Sequence, residues 1–181
     1  FNLQTFGNVY SRIGNPTVAA FEERMAALEG GRAAVAAATG LAAQMVALLT
    51  LCQAGDRIVA ARTLYGGTFS QLDYSLRRLG IETAFVDADD PAAFRAALTD
   101  NTRCLFAETV ANPRLNVLDI SAVANVAHDH GVPLIVDNTV PSPCLCRPFE
   151  HGADIVVHSA TKFLGGHGTT LGGVVVESGR F

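Results

Sequence analysis

Charge is scarce in this sequence, and basic charge scarcer still. Thirteen Lys and Arg stand against 17 Asp and Glu, for a net charge of −4, and only 17% of the residues are charged. No Lys/Arg block occurs, so the chain offers no footprint for a nucleic-acid backbone or an anionic lipid surface, and neither nucleic acid nor membrane is an expected partner. Low charge combined with 49% apolar residues excludes a disordered chain, and 181 residues suffice for one domain with a proper core.

Cysteine is also sparse. Cys52, Cys104, Cys144 and Cys146 are irregularly spaced and partly within apolar runs, a usage that fits reduced thiols and a cytoplasmic location. Cys144-Leu-Cys146 is at most half a metal site, because no second pair follows and His151 is poorly spaced; buried free thiols are expected instead. His128, His130, His151, His158 and His167 supply no chelating pair either, and are read as ordinary polar or core-edge side chains with no metal.

Residues 33 to 55 carry no charge, but Thr39, Gly40 and Gln44 interrupt the run, which predicts a buried helix rather than a membrane span. There is no G-x-x-x-x-G-K-[ST] loop and no dinucleotide-binding glycine fingerprint. The chain opens at Phe1 with neither Met, nor a basic leader, nor a cleavage-site pattern, so further sequence is expected upstream.

What is present is an alternation of short apolar β-branched runs with longer amphipathic stretches. Strands are predicted over 57–61, 82–86, 103–107, 133–137, 154–158 and 173–177, and helices over 16–28, 40–53, 67–79, 91–98 and 120–130. Asn15-Pro16 opens the first helix and Gly30-Gly31 closes it, while Gly80 and Gly131 close later ones. Several strands read as continuous apolar runs, as strands covered on both faces do, so the fold class is α/β: three layers, with a mostly parallel sheet between helices.

In such a sheet, ligands bind at the carboxyl ends of the strands. Polar residues follow the predicted strands at Glu108 and Asn112, at Asp137, Asn138 and Thr139, and at His158, Ser159, Thr161 and Lys162. Ser159-Ala-Thr161-Lys162 sets two hydroxyls and an amine on one short turn, suited to an anion and a nucleophile, although a solvated loop has the same spacing. Asp137 ends an apolar run, as a metal ligand, a base, a partner to a protonated ring nitrogen or a simple loop cap would. Tyr65-Gly-Gly-Thr68 lets backbone approach a ligand beside a flat ring, and Thr39-Gly40-Leu41 opens a helix whose free N–H groups suit a phosphate.

Taken together, Tyr10-Ser-Arg12-Ile-Gly-Asn-Pro16-Thr17, Leu64-Tyr-Gly-Gly-Thr68, Val136-Asp-Asn-Thr139 and Asp154-Ile-Val-Val-His-Ser-Ala-Thr-Lys162-Phe-Leu-Gly-Gly-His-Gly168 resemble the pyridoxal-phosphate-dependent Cys/Met metabolism family over essentially the whole chain. Leu145-Cys-Arg-Pro-Phe-Glu-His-Gly-Ala-Asp154 and Gly168-Thr-Thr-Leu-Gly-Gly173, with Gly14-Asn-Pro16 and Glu177-Ser-Gly-Arg-Phe181, look most like its O-acetylhomoserine sulfhydrylase branch. The resemblance implies an aspartate-aminotransferase-type large domain over 31–181. It also implies an N-terminal segment, 1–30, that contributes to a neighbouring subunit's site.

By the same resemblance Lys162 carries pyridoxal 5′-phosphate and shuttles protons, and Asp137 pairs with its ring nitrogen. Ser159, Thr161 and the N–H groups of Gly40 and Leu41 form the phosphate cup. Tyr65 stacks on the ring and helps activate the substrate amine or leaving group. Asn112 sits near the ring hydroxyl, and Thr139 presses on the ring. Tyr10 and Arg12 reach the neighbouring chain's phosphate, which implies a homo-oligomer, dimer or tetramer, with shared sites.

The implied reaction is γ-replacement on an amino-acid substrate, O-acetylhomoserine, by sulfide or a thiol. Cystathionine γ-synthase, cystathionine γ-lyase or methionine γ-lyase chemistry and a silent truncated domain stand as alternatives. Thr39, Leu41 and Val140-Pro-Ser-Pro-Cys144 depart from the usual family residues, the last at the pocket rim. No residue matches the arginine that a C-terminal domain of the family supplies for the substrate carboxylate, so the chain is expected to be the cofactor-binding part of a longer enzyme.

Overall fold

The computed structural model describes residues 7–181. The part of the predicted 1–30 segment before Gly7 lies outside the described residues. Seven strands form one sheet: β1 (Ala33–Ala37), β2 (Arg57–Ala61), β3 (Glu82–Val86), β4 (Thr102–Glu108), β5 (Leu134–Asp137), β6 (Ile155–Ser159) and β7 (Gly173–Glu177). Their order is β1-β7-β6-β5-β4-β2-β3, with β7 antiparallel to both its neighbours and the pairs from β6 to β3 parallel.

The connecting helices are α1 (Pro16–Glu29), α2 (Gly40–Leu51), α3 (Gly66–Ser70), α4 (Leu76–Arg78), α5 (Pro91–Ala97), α6 (Ile120–Asp129) and the short α7 (Ser142–Leu145). A π turn over Gln71–Ser75 joins α3 to α4 into one continuous rod. Every residue of β5 is buried, as are all but the first of β2 and all but Arg103 of β4. Strands hidden on both faces require helices on both faces, which is the three-layer arrangement read from the apolar runs.

The helix starts follow local chemistry. Asn15 lies extended, its side-chain oxygen accepting the N–H groups of Thr17 and Val18, with Pro16 in the first turn where its missing N–H costs nothing. Asp90 and Asp119 cap α5 and α6 in the same manner. Gly30 ends α1 at φ +75°, a backbone conformation that glycine reaches without strain.

Three expectations are corrected here. The uncharged run at 33–55 holds an edge strand that was not expected, β1 at Ala33–Ala37, before the helix that begins at Gly40 as predicted. Nor is α2 wholly buried in the described chain, for Val46 is 49% and Leu49 45% exposed. Of the four free cysteines, Cys52 and Cys104 are buried, but Cys146 is intermediate and Cys144 exposed, because α7 lies on the surface.

The histidines are corrected in part. His158 is no core-edge side chain: it is fully buried, and its Nε2 meets the equally buried Glu29 carboxylate at the end of α1. The same Glu29 oxygen accepts the Asn138 amide at 3.0 Å, and Asn138 also donates to the carbonyl of Cys146. This network ties α1 to the carboxyl ends of β5 and β6. Among the described residues, no group of three His, Cys, Asp or Glu is placed to hold a metal, and no helix is long and apolar enough to cross a membrane.

Candidate active site

The carboxyl ends of β2, β4, β5 and β6 open into a cavity of about 800 Å³, walled on one side by the start of α2. It collects nine of the residues singled out from the sequence: Gly40, Leu41, Tyr65, Asn112, Asp137, Thr139, Ser159, Thr161 and Lys162. Lys162 follows β6 by three residues, and its backbone N–H donates to the Ser159 carbonyl at 3.2 Å. It is the only lysine in residues 1–181, so one amine alone serves the cavity from within this stretch.

Asp137, the last residue of β5, is buried at the cavity floor and held from two sides. Gln44 Nε2 donates to its Oδ2 at 2.8 Å, and Thr139 donates to its Oδ1 from both backbone N–H and hydroxyl. A carboxylate has about four lone-pair sites, so capacity remains for a further donor such as a ring N–H. Gln44 is fixed in turn by Thr68 at 3.1 Å.

Thr139 does more than line the wall, since its hydroxyl accepts the Ser159 N–H at 2.8 Å while donating to Asp137. One side chain thereby links the ends of β5 and β6. The Thr161 hydroxyl is engaged with both backbone groups of Gly172, whereas Ser159 is tied among the described residues through its backbone N–H and not through its hydroxyl. At the start of α2, Thr39 accepts the Ala42 N–H, and the N–H groups of Gly40 and Leu41 belong to the first turn, which has no intrahelical acceptors. A Cβ on Gly40 would lie 2.6 Å from Ser159 Cβ, so only glycine lets this helix end approach the hydroxyl so closely.

Tyr10 and Arg12 are not brought to this cavity. Both are exposed, with the Arg12 guanidinium 5.3 Å from the Tyr10 ring centroid. Three further residues around the site escaped the sequence reading of roles: Gln44, Thr68 and Glu108. Gln44 had a signal, a lone amide in an uncharged helix one turn beyond Gly40 and hence on the same side. Thr68 stood within the quoted Tyr65 string, and Glu108 was visible only as a polar residue after a strand.

The donor set suits one kind of ligand. A helix N-terminus with an unpartnered hydroxyl fits a phosphate, a buried carboxylate with spare capacity fits a protonated ring nitrogen, and a single amine fits a carbonyl carbon. A family model described as Cys/Met metabolism PLP-dependent enzyme matches residues 1–181. The chain belongs to the Cys/Met metabolism PLP-dependent enzyme family.

Pyridoxal phosphate is the cofactor of this family, and the residues present fit it. Among relatives, the chain is 56% identical over 181 residues to an O-acetyl-L-homoserine sulfhydrylase of Leptospira meyeri, covering 100% of this chain and 41% of that protein. It is 53% identical over 182 residues to a homocysteine synthase of Schizosaccharomyces pombe, covering 100% of this chain and 42% of the relative. A crystal structure assigned as an O-acetylhomoserine (thiol)-lyase of Campylobacter jejuni, with N′-pyridoxyl-lysine-5′-monophosphate, superposes with a TM-score of 0.94. That match has 38% identity and covers 99% of this chain and 44% of that one. The chain thus spans about two-fifths of the length of these Cys/Met metabolism enzymes.

Proposed function

We propose that the chain is the cofactor-binding part of an O-acetylhomoserine sulfhydrylase, which replaces the acetoxy group of O-acetylhomoserine with sulfide or a thiol. The products are homocysteine, or methionine when the thiol is methanethiol, and acetate: the Cγ–O bond breaks and a Cγ–S bond forms. The observation that carries this reading is the single amine of Lys162 sharing one cavity with the buried Asp137 and the open first turn of α2. The similarity to the L. meyeri sulfhydrylase supports the choice of substrate.

When bound, pyridoxal phosphate supplies an electron sink for charge developing at the substrate α-carbon. Lys162 would hold the cofactor covalently and would move protons at the substrate α- and β-carbons. Asp137, fixed by Gln44 and Thr139, accepts the ring N–H and keeps it protonated. Ser159, Thr161 and the Gly40 and Leu41 N–H groups hold the phosphate, Thr161 by turning its hydroxyl from Gly172. Tyr65 would stack on the ring and assist at the substrate amine or leaving group; Asn112 would serve the ring hydroxyl, with Thr139 supporting from its strand.

Residues 31–181 form the cofactor domain in this reading. The 1–30 segment carries Tyr10 and Arg12 to a neighbouring subunit's phosphate in a cytoplasmic homo-oligomer, dimer or tetramer. The exposure of both side chains at a distance from their own cavity supports that role. Incubating the full-length protein with O-acetylhomoserine and sulfide tests the reaction. Homocysteine and acetate in equal amounts are expected, and no homocysteine, or faster turnover of cystathionine or methionine, would contradict it.

A further inference from the structure

Glu108 ends β4 directly beside Asp137, its register partner on β5. It is buried, and its two oxygens do different work: Oε1 accepts the Tyr65 N–H at 2.7 Å and Oε2 accepts the Asn112 N–H at 3.1 Å. One carboxylate therefore bridges two separate loops, the one after β2 that opens α3 and the one after its own strand. Each of those loops contributes a residue, Tyr65 or Asn112, to the cavity wall.

We propose that Glu108 is a positioning residue for the cofactor, clamping the backbones of Tyr65 and Asn112 so that their side chains stand at the ring. The inference rests on the cofactor roles proposed above for those two residues. Only a carboxylate completes the bridge, since an amide of the same length accepts one N–H and sets its own NH2 against the other. Burial pushes its carboxyl up to about 7, the Tyr65 N–H opposes that rise, the Asp137 charge adds to it and the Asn112 N–H opposes it again. The clamp thus holds a charge that its surroundings disfavour, an arrangement with a cost that a purely apolar contact avoids.

The test is the dissociation constant of pyridoxal phosphate for the full-length protein, stripped and reconstituted, read with the visible circular dichroism of the bound cofactor. Glu108→Gln is expected to weaken binding about tenfold and to diminish the visible band, with far-ultraviolet dichroism and oligomeric state unchanged. In a Tyr65→Ala, Asn112→Ala background the same substitution is expected to add less than a threefold loss, because the groups it positions are gone. Native affinity and an unchanged visible band in Glu108→Gln overturn the inference. A full tenfold loss persisting in the double-alanine background also overturns it, while leaving the roles of Tyr65 and Asn112 intact. An unchanged affinity of the double-alanine protein itself overturns those roles and the inference with them. Should Glu108→Gln not fold, Glu108→Asp takes its place in the cycle: it keeps the charge but is too short to span both N–H groups, and the same outcomes decide.

Discussion

In the proposed site, Asp137 and Lys162 are the two residues whose removal separates holding the cofactor from using it. Asp137→Ala removes the proposed acceptor for the ring nitrogen and leaves the Gln44 amide without its 2.8 Å partner. The expected outcome is a fall in kcat of at least about a hundredfold with a much smaller change in KM, since a charge-stabilising contact acts mainly in the transition state. Glu108 supplies a pH signature at the same scale. Its carboxyl titrates near 4.5 when exposed and at about 7 in the fold, so between those values the folded protein keeps a proton that the unfolded chain has released. Its contribution is fully present below pH 4.5 and lost as the pH rises through 7, a change of about 3 kcal/mol. Denaturant unfolding of the cofactor-free protein at pH 5 and pH 8 is expected to show this difference, and Glu108→Gln to abolish it. Asp137 and Lys162 were legible in the sequence because each ends or follows an apolar run, Lys162 within the long string Asp154–Gly168 and Asp137 within the short Val136–Thr139. Their supporting partners were not: Gln44 stands 93 positions from Asp137 and Glu108 stands 43 from Tyr65, distances closed only by the order of the strands.

The elements most exposed to single changes are those that meet at the rim. Gly40→Ala places a methyl 2.6 Å from Ser159 Cβ and 2.8 Å from its Cα, so α2 and β6 must separate. Overpacking of this kind costs about 1–3 kcal/mol, and because both elements contribute to the proposed phosphate cup, cofactor retention is expected to fall together with Tm. Glu29→Ala acts from the other end of α1: it strands the His158 and Asn138 donors in the interior, at a cost of about 3 kcal/mol. A lowered denaturant midpoint checks it. Most elements were readable because parallel strands covered on both faces leave continuous β-branched runs. The exception, β1, reads Ala-Ala-Val-Ala-Ala, which carries no β signature and takes strand form only through its pairing with β7. The antiparallel direction of β7 likewise depends on a partner strand, not on anything in its own five residues.

At the scale of the molecule, the sheet brings residues from α2, β4, β5, β6 and the loop after β2 to one rim, so that segments spanning 39–171 share a single cavity. Tyr10 and Arg12 stand apart from it, and α2 leaves apolar side chains exposed in the single chain. In the proposed oligomer of the full-length protein, Arg12→Ala is accordingly expected to weaken pyridoxal phosphate binding about tenfold through the neighbouring subunit's site. Mixed oligomers of Arg12→Ala and Lys162→Ala subunits are expected to regain part of the activity that each variant lacks, in proportion to the fraction of complete sites. The central claim is that Lys162 carries the cofactor. Borohydride reduction of the full-length holoprotein, followed by peptide mass mapping, tests it most directly. A phosphopyridoxyl group on the peptide containing Lys162 is the expected result; that peptide recovered unmodified, or the group found on a lysine elsewhere in the full-length chain, would contradict it.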